Sequence, residues 1–238
     1  MATANTSAVL NIPDNSGVAE TGAIRIPASA RSLDGFVAWA LSDEFPRQGR
    51  ISFLGGEIVV DMAAEEIQSH SKLKQRIGTA VDTFVTAGEL GEVLPDGTLF
   101  RNEEADVSHE PDLMVCRFES LEAGMIRYAE RNPGTGRELI VEGSPDLVVE
   151  IVSNSSVRKD TRDLRHRYFA AGVREYWIVD ARGMIMTFHL LVRGDVDWLE
   201  SIPDGEDFRR SAVLDRRVRI DRGTNRIGTV KYDVLIRE

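Results

Sequence analysis

Ser144–Asp180 reads SPDLVVEIVSNSSVRKDTRDLRHRYFAAGVREYWIVD. Leu147, Val148, Val149 and Ile151 make an apolar, β-branched run of strand length behind Pro145-Asp146. Asn154, Ser155 and Ser156 offer capping oxygens to a helix that runs to about Ala171, where Gly172 stops it. Glu175–Asp180 (EYWIVD) is a second strand. Strand, helix and strand at this length predict a crossover unit with parallel strands, neighbours or near neighbours in one sheet. A single charge, Glu150, interrupts the first apolar run. A carboxylate in such a strand requires a partner, a metal or water. Alternation puts Asp146, Val148, Glu150 and Val152 on one face, and Leu147, Val149 and Ile151 on the other. Glu150 stands near the C-terminal end of its strand, the end at which α/β sheets bind ligands.

Working outward, residues 1–30 read as a tail ending in one short strand at Ala23–Pro27, and 31–238 as one domain. Ser32 is placed to cap a helix from Leu33 to about Ser42. Gly55-Gly56 between Arg50–Leu54 and Glu57–Met62 signals a hairpin. Glu65–Thr86 is an amphipathic helix with Leu73, Ile77, Ala80, Val81 and Phe84 at helical spacing. His70 lies one turn earlier on a similar face and reads as a packed histidine ahead of a ligand. Short strands are expected at Glu92–Leu94 and Thr98–Phe100, and a loop over Asn102–Glu110. Pro111-Asp112 opens another short strand, Leu113–Val115, and Leu121–Arg131 reads as a helix. After a strand at Met184–Val192, the chain to Glu238 alternates in short pieces. That pattern predicts antiparallel strands that close the sheet or pack on a neighbour.

The 238 residues carry a net charge of −10 and a pI near 5.0. Nonspecific nucleic-acid binding by the whole surface is disfavoured. A local basic run remains at Arg158–Arg167, five basic against two acidic side chains, and reads first as a solvated helix face. Cys116 is the only cysteine. One thiol excludes a disulfide framework within the chain and points to a reducing, cytoplasmic compartment. No secretion signal and no apolar run of membrane-spanning length is present, so no membrane partner is expected. The four histidines are scattered and none has HExxH spacing.

Asp112 and Glu150 on neighbouring strands offer two carboxylates to a hard divalent ion, Mg²⁺ or Mn²⁺. An ion so held generates hydroxide and stabilises charge on a phosphate. Pro-Asp at a strand start is also a common turn device.

PDLMVC (Pro111–Cys116), PDLVVEIVSNSS (Pro145–Ser156) and the basic helix ending YFAAGVREYWIVD together resemble the Uma-two family. These are restriction-endonuclease-like proteins of the PD-(D/E)XK nuclease superfamily. GGEIVVDMA before the His70 helix fits the same pattern, and the resemblance spans roughly Leu33 to Val192. It implies an α/β fold: a mixed sheet with α-β-β-β-α-β order, here with extra antiparallel strands. It implies that Asp112 matches the superfamily aspartate and Glu150 the acid of the (D/E)XK part, both holding the metal. The superfamily lysine then falls at Val152, and the lysine that many relatives carry in the following helix falls at Leu164. Lys159, the only lysine in that helix, is the expected substitute, since an always-charged guanidinium at Arg162 or Arg165 is a poor proton shuttle. His70 or Asp146 is expected to complete the outer shell.

The implied activity is metal-dependent hydrolysis of DNA phosphodiesters by Asp112, Glu150 and Lys159. The resemblance also suggests a homodimer, for which the C-terminal strands would supply the interface. The alternative is a noncatalytic nucleic-acid- or protein-binding member of the same fold with a degraded site. On the nuclease reading, repulsion among clustered acids predicts that Glu150→Gln melts at least as high as the parent in chelator.

Overall fold

The computed structural model describes residues 8–11, 23–130 and 134–238. Most of the expected tail lies outside the described residues. Within it β1 (Ala8–Asn11) pairs antiparallel with β2 (Ala23–Ile26). Ser32 caps α1 (Leu33–Ala40), its Oγ accepting from the Gly35 N–H at 3.2 Å. β3 (Arg50–Leu54) and β4 (Glu57–Asp61) form the expected hairpin. Gly55 and Gly56 both hold positive φ there, and a Cβ on Gly55 would strike the Arg167 guanidinium.

A π-helical turn, Ile67–Ser71, leads into α2 (Lys72–Ala87). α2 buries Leu73, Ile77, Val81 and Val85. Then come β5 (Gly91–Pro95), β6 (Leu99–Asn102), β7 (Val107–His109) and β8 (Leu113–Arg117). Next are α3 (Phe118–Glu122), β9 (Ile126–Glu130), β10 (Glu138–Gly143) and β11 (Leu147–Ile151). A second π-helical turn, Lys159–Asp163, opens into α4 (Leu164–Ala170). The chain ends with β12 (Glu175–Asp180), β13 (Thr187–Arg193), β14 (Trp198–Glu200), β15 (Arg209–Ser211), β16 (Arg216–Thr224) and β17 (Val230–Arg237).

The central sheet has the order β14-β13-β12-β11-β8-β5, and β11 and β12 are parallel neighbours, as the crossover unit predicts. A second sheet has the order β4-β3-β7-β6-β10-β9, and β15-β16-β17 form a third. The fold is therefore the expected mixed α+β arrangement with extra antiparallel strands at the C-terminal end. Side-chain alternation in β11 divides the core. Leu147, Val149 and Ile151 pack toward α2 and the third sheet, while Val148 and Val152 pack toward α4 and the second sheet. No described helix is long and apolar enough to cross a membrane.

Two local expectations need correction. The helix expected over Leu121–Arg131 stops at Glu122, and Arg131 lies outside the described residues. Gly124, at φ +70°, follows the end of α3, and Ile126–Glu130 pairs with β10, a strand that the sequence pattern did not reveal. Asn102–Glu110 is not all loop, because Val107–His109 joins β3 and β6 in the second sheet. The strands on either side of Pro95-Asp96-Gly97 belong to different sheets, β5 to the central one and β6 to the second.

Candidate active site

β8 and β11 are antiparallel, with Leu147 opposite Val115, Val148 opposite Met114 and Val149 opposite Leu113. One rung further along this register Glu150 stands opposite Asp112. The start of one strand and the end of the other therefore meet at a single sheet edge. The Ile151 N–H donates to Asp112 Oδ2 at 2.8 Å. Asp112 and Glu150 are each only 2% exposed. Asp146, four residues earlier on the same face as Glu150, lies at the opposite end of β11. Its carboxylate accepts from Arg117 N–H at 2.8 Å, Ser120 Oγ at 2.7 Å and Arg174 Nη1 at 3.0 Å. It braces that end of the sheet and is not a neighbour of the acid pair, contrary to the outer-shell expectation.

Glu150 is embedded in donors. Tyr168 Oη donates to its Oε1 at 2.6 Å, and His109 Nε2 lies 3.0 Å from the same oxygen. Ser52 Oγ is 2.7 Å from His109 Nδ1. Burial, aided by the Lys159 charge, pushes His109 down to about 4, so the ring is neutral at pH 7. The proton then sits on Nε2, facing Glu150, with the Ser52 hydroxyl donating to Nδ1. Burial opposes ionisation of Glu150, but His109, Lys159 and the Tyr168 hydroxyl outweigh it and hold the carboxyl at about 2. Sequence reasoning missed His109 because β7 has only three residues. It also missed Tyr168, whose only signal is its position one helical turn after Leu164.

Lys159 is 7% exposed, with Nζ 3.5 Å from Asp160 Oδ1, and its charge acts on both Glu150 and His109. The π-helical turn explains its placement. The Leu164 N–H bonds to the Lys159 carbonyl, so residues 159 and 164 stack one turn apart. Val152 and Leu164, where lysines are absent, are fully buried in the apolar core. Arg162 is exposed and Arg165 Nη2 lies 3.8 Å from Asp197, outside the acid cluster.

Asp160 takes a hydrogen bond from Ser156 Oγ, but its Oδ1 has no hydrogen-bond partner. Burial and the Glu150 charge push its carboxyl up to about 8 from an ordinary 3.8. The folded chain therefore keeps this proton, and the unfolded chain releases it, between about pH 4 and pH 8; stability falls as pH rises through that window. Asp160→Asn is expected to remove this falling limb, a difference of at most about 1.4 kcal/mol per pH unit, in melts recorded with chelator. Parallel pH profiles for the two proteins would contradict the assignment.

The other flank of Asp112 is built by β3, the first π-helical turn with the residues before it, and α2. Arg50 Nη2 is 3.2 Å and Lys74 Nζ 3.8 Å from Oδ1, and His70 Nε2 is 3.5 Å from Oδ2. Glu65 Oε2 is 3.2 Å from His70 Nδ1, and Lys74 bonds Glu65 at 2.6 Å and Asp96 at 2.8 Å. Burial and the like charge of Glu150 raise the Asp112 carboxyl against the opposing pull of Arg50. His70 is indeed packed, at 1% exposure, yet neither ring nitrogen has a hydrogen-bond partner, and neither does Asp112 Oδ1. Ion-pair contacts at 3.2–3.8 Å are all that these buried atoms have, and a buried polar group without a well-formed hydrogen bond costs about 1–3 kcal/mol. Ligand atoms of Glu65, His70 and Asp112 all lie within 4.8 Å of one another. Two carboxylates and an imidazole are a donor set that a divalent cation fits. A cavity of about 390 Å³ between α2 and β5 reaches Asp112 past Lys74, Gly78 and Asp96.

A family model described as "Putative restriction endonuclease", Uma2, matches residues 33–221. The chain belongs to the Uma2 family. Asp112, Glu150, His70, His109 and the Lys159 turn all fall inside the Uma2 match, whereas the end of β16 and all of β17 lie beyond it. Among solved structures, the chain is similar to a putative nuclease belonging to DUF820 from Anabaena variabilis. That match has a TM-score of 0.52 at 15% identity and covers 74% of this chain and 89% of the other. At this identity the likeness concerns the fold alone. A search of curated proteins returned no match.

Proposed function

We propose that this Uma2 protein is a divalent-metal-dependent endonuclease hydrolysing phosphodiester bonds in DNA. The observation that carries the reading is the acid pair Asp112–Glu150 on one rung, flanked by Glu65 and a buried His70 with two unsatisfied nitrogens. Asp112, Glu65 and His70 would hold Mg²⁺ or Mn²⁺; Glu150, expected as the second ligand, is not in that cluster, its Oε1 being engaged by Tyr168 and His109. The imidazole nitrogen favours Mn²⁺ over Mg²⁺. Such an ion supplies an acidified water and neutralises charge on the phosphate.

The chain's own residues supply the rest. Neutral His109 and Tyr168 fix the Glu150 carboxylate in its ionised form. Lys159, whose charge acts on Glu150, would orient a water and stabilise the developing negative charge. Arg50 and Lys74 neutralise Asp112 and Glu65 in the metal-free chain. The reading includes a homodimer, since two sites suit two strands, and a reducing cytoplasmic compartment, in keeping with the lone buried Cys116.

The experiment is nicking of supercoiled plasmid with millimolar Mn²⁺ or Mg²⁺. Cleavage is expected in the parent, and none with chelator or in Asp112→Asn. A noncatalytic binding module of the same fold is the second reading, favoured by buried Val152 and Leu164 where lysines are absent. It predicts metal binding or DNA binding without nicking. Lys159→Ala should lower the cleavage rate by about 10²–10³-fold while keeping Mn²⁺ binding. Arg162→Ala and Arg165→Ala should cleave near the parent rate. Full activity in Lys159→Ala with loss in either arginine variant would assign the role to the arginine.

A further inference from the structure

The chain is acidic overall, yet residues 209–238 carry nine Lys and Arg side chains against four Asp and Glu. Much of that charge is already engaged. Arg210 pairs with Asp215, Arg217 with Asp204, Arg219 with Asp221, and Lys231 with Asp233. Arg209 and Arg237 lie over the Phe188 and Phe208 rings. The remaining charge gathers at the end of the β16–β17 hairpin. Among the described residues no carboxylate pairs with Lys72, Arg222 or Arg226, and Arg226 makes no hydrogen bond.

The tip is held rigidly and at a particular place. Asn225 Oδ1 accepts from the Ile227 and Thr229 N–H groups at 3.1 Å each, and Asn225 Nδ2 donates to Thr229 Oγ1 at 2.7 Å. Lys72, two residues after His70, donates to Thr229 Oγ1 at 3.2 Å and to the Val230 carbonyl at 3.1 Å. Arg222 Nη1 donates to the carbonyls of Ala181 at 3.2 Å and Gly183 at 2.6 Å, just beyond β12. β12 runs parallel to β11, so this is the sheet edge that bears Glu150. At that edge Ile227 is 72% exposed, and Met184 and Ile185 in the adjoining turn are 97% and 83% exposed.

We propose that the tip of the β16–β17 hairpin is an arm that grips duplex DNA beside the candidate active site. Arg222 and Arg226 contact backbone phosphates, and Ile227 packs against the sugar edge of a groove. The inference rests on the nuclease reading and extends it by naming the surface that delivers the substrate. Charge complementarity favours DNA, because a chain of net charge −10 must confine phosphate contacts to such a local patch. Rigidity lowers the ordering cost of the contact.

The test uses the full chain, a short fluorescein-labelled duplex and anisotropy in millimolar Ca²⁺ over a range of salt. Hydrolysis of bis-p-nitrophenyl phosphate in Mn²⁺, a substrate too small to reach the tip, is measured in parallel. Arg226→Glu and Ile227→Asp alter exposed side chains that brace nothing. Each is expected to weaken duplex binding about tenfold, a loss of about 1.4 kcal/mol. The Arg226 variant should also lower the salt slope by about one unit. Thermal midpoint and small-substrate hydrolysis should not change. Duplex affinity equal to that of the parent in both variants would overturn the arm. So would a change confined to the light-scattering mass, marking a contact between copies, or to vesicle binding. A parent that hydrolyses the small diester but ignores duplex would overturn the arm and leave the nuclease reading standing. A parent that binds duplex through the tip but hydrolyses neither substrate would do the reverse.

Discussion

Asp112→Asn is expected to abolish metal-dependent cleavage, by on the order of 10³-fold or more, without weakening the metal-free fold. In the parent this carboxyl is buried beside Glu150, which makes its ionised form costly. Asparagine keeps an acceptor for the Ile151 N–H, the one hydrogen bond made by Asp112 Oδ2. In chelator the variant should therefore melt at or above the parent. With Mn²⁺ at a hundredfold excess over its dissociation constant the parent gains about 2.7 kcal/mol, and the variant gains little. Glu150→Gln should lose cleavage as well, but with a different stability signature. Tyr168 and His109 both donate to Glu150, and the ionised carboxylate is the form that the site prefers. An amide there loses about 1–3 kcal/mol in chelator. This reverses the expectation drawn from clustered acids, because the strain lies on Asp112 and Asp160 and not on Glu150. Differential scanning calorimetry of the two variants with chelator and with Mn²⁺ measures both signatures. Equal destabilisation of both in chelator would refute the division of roles.

Glu175→Ala is expected to destabilise the fold by about 3–5 kcal/mol, since each buried donor left unpaired costs about 1–3 kcal/mol, more than any of the site variants. The carboxylate is fully buried at the start of β12. It accepts from Ser211 Oγ at 2.7 Å, Trp177 Nε1 at 2.7 Å and the N–H groups of Ala212 at 2.6 Å and Val213 at 3.1 Å. Four donors would lose their acceptor at once, and three of them belong to the end of β15 and the segment that follows it. The carboxylate thus ties the third sheet to the central one, beside their shared apolar core and the hydrogen bond from Arg117 to the Val213 carbonyl. Urea unfolding followed by the fluorescence of the three tryptophans should show the loss, and Glu175→Gln should recover part of it by keeping one acceptor oxygen. A change below about 1 kcal/mol in Glu175→Ala would mean that water replaces the carboxylate.

The sequence made β11, α4 and β12 legible because their patterns are long, uninterrupted and bounded by Gly172. Alternation alone placed Glu150 and Val152 on one face and Leu147 and Ile151 on the other, as the two core faces show. The pairing of Asp112 with Glu150 followed from two strand-end acids. The sequence could not show that β8 and β11 run antiparallel. That direction brings the start of one strand to the end of the other, and it separates Asp146 from the site despite their shared face. Arg50 from β3, Lys74 from α2 and Glu65 from the segment before the first π-helical turn converge through tertiary contacts with no local signature. His109 was hidden in a strand of three residues. The alignment of Lys159 with Leu164 required a π-helical turn, which periodicity at 3.6 residues does not reveal.

The central claim is that a divalent ion binds at Asp112 with Glu65 and His70, and it is tested most directly by calorimetric titration of Mn²⁺ into the metal-free full chain. The parent should give a saturable isotherm with one ion per chain. Asp112→Asn should give none, and His70→Ala, which removes a direct ligand, should bind at least about 100-fold more weakly, beyond the range for loss of an outer-shell partner. A flat titration in the parent, or the parent's isotherm unchanged in Asp112→Asn, would contradict the account.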